Sequence, residues 1–137
     1  MQVRPNKVSS MLPAFLIPET TIDSNGSTDP IDLGESAGNR VLLTLGILDI
    51  VEQESLDIAI WGSEDGEEWG EKPIRAFPQK FYAGTYQILC PLDTSPEVRY
   101  LRVEWKVHRW GVGETTPMFK FYLFAELFAA YAPQKTA

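Results

Sequence analysis

Apolar and polar residues alternate with a period of two along much of the chain, and the clearest run is Pro96 to Val107, PEVRYLRVEWKV. Leu101, Val103, Trp105 and Val107 fall on one face, with Tyr100, Arg102, Glu104, Lys106 and His108 on the other, the signature of a half-buried strand. Arg40 to Val51 is a longer apolar run with Val41, Leu43, Leu45 and Ile47 in phase and Gly46 placed for a bulge or bend. After a turn at 52–55, Leu56, Ile58 and Ile60 alternate with Asp57, Ala59 and Trp61, so the two runs read as a meander hairpin. Ile74 to Phe81 and Tyr82 to Leu89 read as two short strands, and Phe77, Phe81, Tyr82 and Tyr86 form an aromatic group that is either core, the reading favoured for most of them, or a surface platform. The closing strand, Met118 to Phe128, has Phe119, Phe121, Leu123 and Ala125 on one face and Lys120, Tyr122, Phe124 and Glu126 on the other. Either it is covered on both sides, or Tyr122, Phe124 and Phe128 form an exposed patch that invites a partner. Met11 to Thr21 is a short apolar run interrupted by Pro13 and Pro18, which suits an extended edge segment.

This pattern predicts an all-β fold, a single-domain antiparallel β-sandwich of jelly-roll-like type. The sandwich is placed at residues 19–128, an extended N-terminal arm at 1–18 and a C-terminal tail at 129–137. A length of 137 residues suits one core, and 12% aromatic residues with ten glycines and ten prolines favour strands joined by turns. Cys90 is the single cysteine, which excludes an internal disulfide and a multi-cysteine zinc site. Neither a signal peptide nor a membrane span is read, so cytoplasmic synthesis is expected, with the final compartment open.

The net charge of -7 is unevenly spread. Residues 1–18 carry +2, residues 19–71 carry -13 and residues 72–137 carry +4. An acidic first half argues against nucleic acid as a partner, and segregated charges would draw copies together head to tail, unless they interleave in the fold and serve solubility.

Candidate chemistry is sparse. Asp23, Asn25, Asp29 and Asp32 offer calcium-type oxygen ligands within a turn-rich loop, without the spacing of an EF-hand. Glu64, Asp65, Glu67 and Glu68 form an acidic loop that reads as solvated, with Trp69 folding back to cap the strand end. Cys90 reads as a buried small hydrophobe and His108, flanked by Lys106 and Arg109, as a solvated strand histidine. Arg109 to Pro117 has no phosphate-cradling pattern. No enzyme and no cofactor are expected.

The order Trp61-Gly62-Ser63-Glu64-Asp65-Gly66-Glu67-Glu68-Trp69, Phe81-Tyr82-Ala83-Gly84, Arg99-Tyr100-Leu101-Arg102-Val103 and Phe121 to Leu127 resembles the discoidin-like, or galactose-binding-like, jelly roll over residues 40–127. It is also similar to small β-sandwich structural proteins of tailed-phage particles. Both resemblances imply a sandwich without a catalytic centre. The first implies a loop-end site for carbohydrate or lipid headgroups, the second a surface for copies of itself or for a capsid or tail protein. The missing cysteine pair and the added arm depart from the discoidin pattern. The expectation is therefore a structural protein that homo-oligomerises, in a virion or an extracellular assembly. Its contacts are placed at Leu12, Phe15, Ile17, Tyr122, Phe124 and Phe128, with Met11 to Ile17 as a bridging arm. The alternative is a carbohydrate-binding module that stacks glycans on Trp69, Tyr82 and Trp110.

Overall fold

A computed structural model of the chain describes residues 12–111 and 116–128. Its nine described strands form two antiparallel sheets packed face to face. The first sheet has the order β1 (Ala14–Ile22), β9 (Phe119–Leu127), β4 (Arg40–Ile50) and β7 (Gly84–Pro91). In the second lie β2 (Gly26–Ser27), β8 (Tyr100–Arg109), β5 (Glu54–Ser63) and β6 (Arg75–Ala76), with β3 (Ile31–Asp32) also paired to β8. The chain changes sheet at nearly every long connection, which is how a jelly roll is wound. The all-β antiparallel sandwich expected from the sequence is the fold that forms.

Alternation explains the core. Val41, Leu43, Leu45 and Ile47 of β4 and Phe119, Phe121, Leu123 and Ala125 of β9 are buried on the inner face of the first sheet. Opposite them lie Leu56, Ile58 and Ile60 of β5 and Leu101 and Val103 of β8, all buried. Each of these side chains larger than alanine contributes about 1.5–3 kcal/mol through loss of contact with water. Toward the sandwich end Trp105 turns its ring edge-on to Phe121 at 6.3 Å and donates from Nε1 to the Ser24 carbonyl at 3.1 Å.

Four local expectations are corrected. β4 and β5 are not a hairpin: β4 pairs with β7 and β9, whereas β5 pairs with β6 and β8. Two strands facing each other across a core show the same alternation as two strands side by side, so periodicity could not separate these arrangements. Gly46 is not the bulge, since the register shift falls between Ile47 and Asp49. The glycine instead makes room, because a Cβ there would lie 2.2 Å from ring atoms of Tyr122. Residues 74–81 contribute only the two-residue β6 and a bridge from Lys80 to Leu56. Of the aromatic group there, Phe77 is core, Tyr86 is half-buried, and Phe81 and Tyr82 are exposed.

The boundary drawn at residue 18 falls inside a strand. β1 is the edge strand of this chain's own sheet, paired with β9 from Ala14↔Ala125 to Ile22↔Phe119. Pro18 is tolerated there because an edge strand leaves one row of backbone groups unpaired. Residues 1–11 and the tail at 129–137 lie outside the described residues.

The passage between the sheets is held by Glu54, which is 1% exposed. Its Oε2 accepts from the Val51 N–H at 3.0 Å and its Oε1 from the Met118 N–H at 2.9 Å. One carboxylate thus ties the β4–β5 turn to the entry of β9. Replacing Glu54 by Gln turns an amide NH2 toward one of these N–H donors, and unfolding in urea should show a loss of about 1–3 kcal/mol. An unchanged midpoint would mean that the two bonds contribute nothing.

Candidate functional site

The outer face of the first sheet brings three of the expected contact residues together. Phe15 meets Phe124 at a centroid distance of 4.9 Å and Tyr122 at 5.7 Å, both edge-to-face. Strand pairing causes this, since Phe15 lies opposite Phe124 and Gly46 opposite Tyr122. Phe15 remains 53% exposed. Lys120 and Glu126 stand at the two ends of the same face of β9, and Lys120 makes a 3.4 Å ion pair with Glu19. The other expected contacts lie elsewhere. Ile17 is turned inward and buried, a correction to its placement on a contact surface, because its register opposite Leu123 puts it in the core. Leu12 is partly buried against that core. Phe128 lies just past β9, 40% exposed, with its N–H bonded to the Arg40 carbonyl.

A second concavity, of about 570 Å³, opens at one end of the sandwich between the β4–β5 turn and residues 81–83. Its walls are Phe81, Tyr82 and Trp110, with Ile50, Glu52 and Glu54 toward the turn. Phe81 lies 6.1 Å from Trp110 and 6.4 Å from Tyr82, the ring planes inclined by 73° and 59°. The turn is fastened beneath them: the Trp110 N–H donates to the Gln53 carbonyl at 3.0 Å, and Arg109 donates to the Glu52 carbonyl. Gln53 adopts a φ of 62° at the tip. His108 stacks on the far side of the same cluster, 5.7 Å from Trp110. Tyr82 and Trp110 of the expected carbohydrate set therefore share one cleft, and Trp69 does not line it.

Sequence reasoning missed Phe81, Glu52 and Glu54 here. A signal existed for Glu54, which is in phase with the inward residues Leu56, Ile58 and Ile60.

Trp69 belongs to the acidic loop, where it lies 4.7 Å beneath the Arg102 guanidinium. This loop is organised by Ser63 and Asp65. The Ser63 hydroxyl, buried at the end of β5, accepts from the N–H groups of Asp65 and Gly66 and donates to Asp65 Oδ1. That oxygen also accepts from the N–H groups of Glu67 and Glu68 at 2.8 and 2.9 Å. Gly66 sits at φ +83°, a left-handed conformation that favours glycine. The Ser-x-Asp-Gly-x-x-Trp order therefore builds a self-capped turn, and its other acids are exposed.

The four calcium candidates are spread along the edge of β8. Asn25 Oδ1 accepts from the Val107 N–H, and Asp32 Oδ1 accepts from the Gly34 N–H and the Arg99 guanidinium. Asp32 lies opposite Tyr100, so these two anchor points are separated by roughly 20 Å of strand, against ligand distances of about 2.5 Å. Among the described residues no group of three or more His, Cys, Asp or Glu could hold a metal ion. Cys90 is buried, and desolvation pushes its thiol up to about 11, against a smaller opposing effect of Arg75.

Backbone donors from Glu68 and Glu67, followed by the Ser63 hydroxyl, hold the Asp65 carboxyl below its ordinary value. A depressed folded-state value means that the stabilisation is present above the ordinary value and is lost as pH falls through the lowered one. The melting-temperature difference between wild type and Asp65→Ala should be widest near neutrality and shrink below about pH 4. A difference that grew on acidification would contradict this assignment.

In comparisons with known proteins, the chain matches no family model and no curated protein.

Proposed function

We propose that this protein is a non-enzymatic structural sandwich that homo-oligomerises through the outer face of its first sheet. The observation that carries the reading is the aromatic trio of Phe15, Tyr122 and Phe124, with Phe15 half exposed on a strand face that has no further layer over it among the described residues. Aromatic groups of this kind supply the buried centre of protein interfaces.

A self-complementary arrangement fits the face. Two copies related by a two-fold axis lying in the interface, across the strands near Leu123, would run their β9 strands antiparallel. Tyr122 of one copy then falls over Phe124 of the other, and Lys120 over Glu126, because each pair is equally spaced about position 123. The charged ends fix the register, and the aromatic centre supplies the area. Of the segment Met11 to Ile17 expected to bridge copies, Met11 lies outside the described residues, and β1 pairs with β9 of its own chain and contributes Phe15 to the face.

Absence of catalysis is part of the proposal. It rests on a thiol held protonated by burial and on a lone histidine that is exposed and stacked on Trp110. The alternative, a carbohydrate-binding module, has in its favour that Tyr82 and Trp110 share a cleft.

The test is charge exchange read by light scattering. Lys120→Glu and Glu126→Lys each convert two attractive pairs per dimer into repulsive ones, and each variant should self-associate about tenfold more weakly than wild type. Mixing the two variants should restore a dimer, because acidic ends then face basic ends. Failure of the mixture to associate, with wild type dimeric, would sink this geometry.

A further inference from the structure

The aromatic cleft carries a second reading that is independent of self-association. Its three rings do not form a flat platform. Phe81 is steeply inclined to both neighbours, so Tyr82 and Trp110 make a corner with it at the wall of an open cleft. A pyranose stacks best on one open aromatic face, whereas a corner of ring faces suits a small rounded group.

The charge around the corner is also one-sided. Glu52 and Glu54 line it, and among the described residues neither lysine nor arginine does. Three bases neighbour it in sequence and each is engaged: the Lys80 ammonium lies over the Tyr86 ring at 4.0 Å, Arg109 donates to the Glu52 carbonyl, and the His108 ring stacks on Trp110 at 5.7 Å. Glu54 is occupied by two backbone donors, so the exposed carboxylate at the mouth is that of Glu52. Aromatic faces carry negative potential and attract a cation placed over them, Trp most strongly. A carboxylate beside them adds to that attraction and offers nothing to a neutral hydrocarbon.

We propose that this cleft binds an organic cation of the quaternary ammonium class. The trimethylammonium group sits against Trp110 and Tyr82 with Phe81 as its third wall, and Glu52 acts as counter-ion at the mouth. The pocket is prepared by the fold, because the Gln53–Trp110 backbone bond and the Glu54 carboxylate hold the turn and the aromatic wall in place.

The full-length protein is titrated with choline chloride, with 3,3-dimethylbutan-1-ol as its uncharged carbon isostere and with methyl glucoside as a sugar. Binding is followed through the indole N–H resonance of Trp110. Choline should shift this resonance saturably, with the isostere and the glucoside each at least tenfold weaker. Glu52→Gln, a change at an exposed side chain, should weaken choline about threefold or more, and Trp110→Phe should weaken it while leaving the far-ultraviolet circular dichroism unchanged. Equal affinity for the isostere would reassign the cleft to apolar ligands, and tighter binding of the glucoside would reassign it to carbohydrate. No saturable shift with choline up to 100 mM would also overturn the proposal. All three outcomes are read at the cleft and leave the oligomer interface untouched, so this proposal and the assembly reading fail separately.

Discussion

Among the described residues neither sheet is covered on both sides, so each depends on the other to remove its inner face from water. β4 and β9 offer Val41, Leu43, Leu45, Phe119, Phe121 and Leu123, and β5 and β8 answer with Leu56, Ile58, Ile60, Leu101 and Val103. Hydrophobic contact between these two surfaces is the condition for everything else, since a lone sheet would leave them exposed. It also explains why the chain must cross between sheets, and why the crossing after β4 has a buried carboxylate. A turn that dips between layers leaves backbone N–H groups away from water, and Glu54 satisfies two of them.

Once the inner faces are joined, the outer faces differ in kind. That of the second sheet is closed by polar pairings: Trp61 Nε1 donates to Glu104, Gln79 to Asp57, and Arg102 lies over Trp69. The outer face of the first sheet instead carries Phe15, Tyr122 and Phe124, with Gly46 letting the Tyr122 ring lie against the backbone. A face that carries these rings, with Lys120 paired to Glu19 at one end and Glu126 at the other, offers exposed aromatic area of the kind that protein interfaces bury. The asymmetry between the faces is the physical basis of the assembly proposal.

Much of the fold was legible because a period of two reports burial directly. Leu101 and Val103 faced inward as their spacing required, and the two faces of β9 separated as read. Connectivity was not legible, because facing strands and neighbouring strands leave the same pattern, as β4 and β5 show. The candidate site divided along similar lines. Tyr122 and Phe124 were visible as ring residues on a second face, but Ile17 could not be assigned a side, since β1 carries register irregularities between Phe15 and Thr20. The aromatic cleft depends on long-range pairing that brings Trp110 to the β4–β5 turn, and no local spacing encodes that meeting.

Sedimentation velocity of the wild-type chain over a wide concentration range tests the central claim of self-association most directly. The expected result is a reversible shift from a 15.4 kDa monomer to a species of twice that mass, weakened when both Phe15 and Phe124 are replaced by Ser. A single 15.4 kDa boundary at every concentration would contradict it.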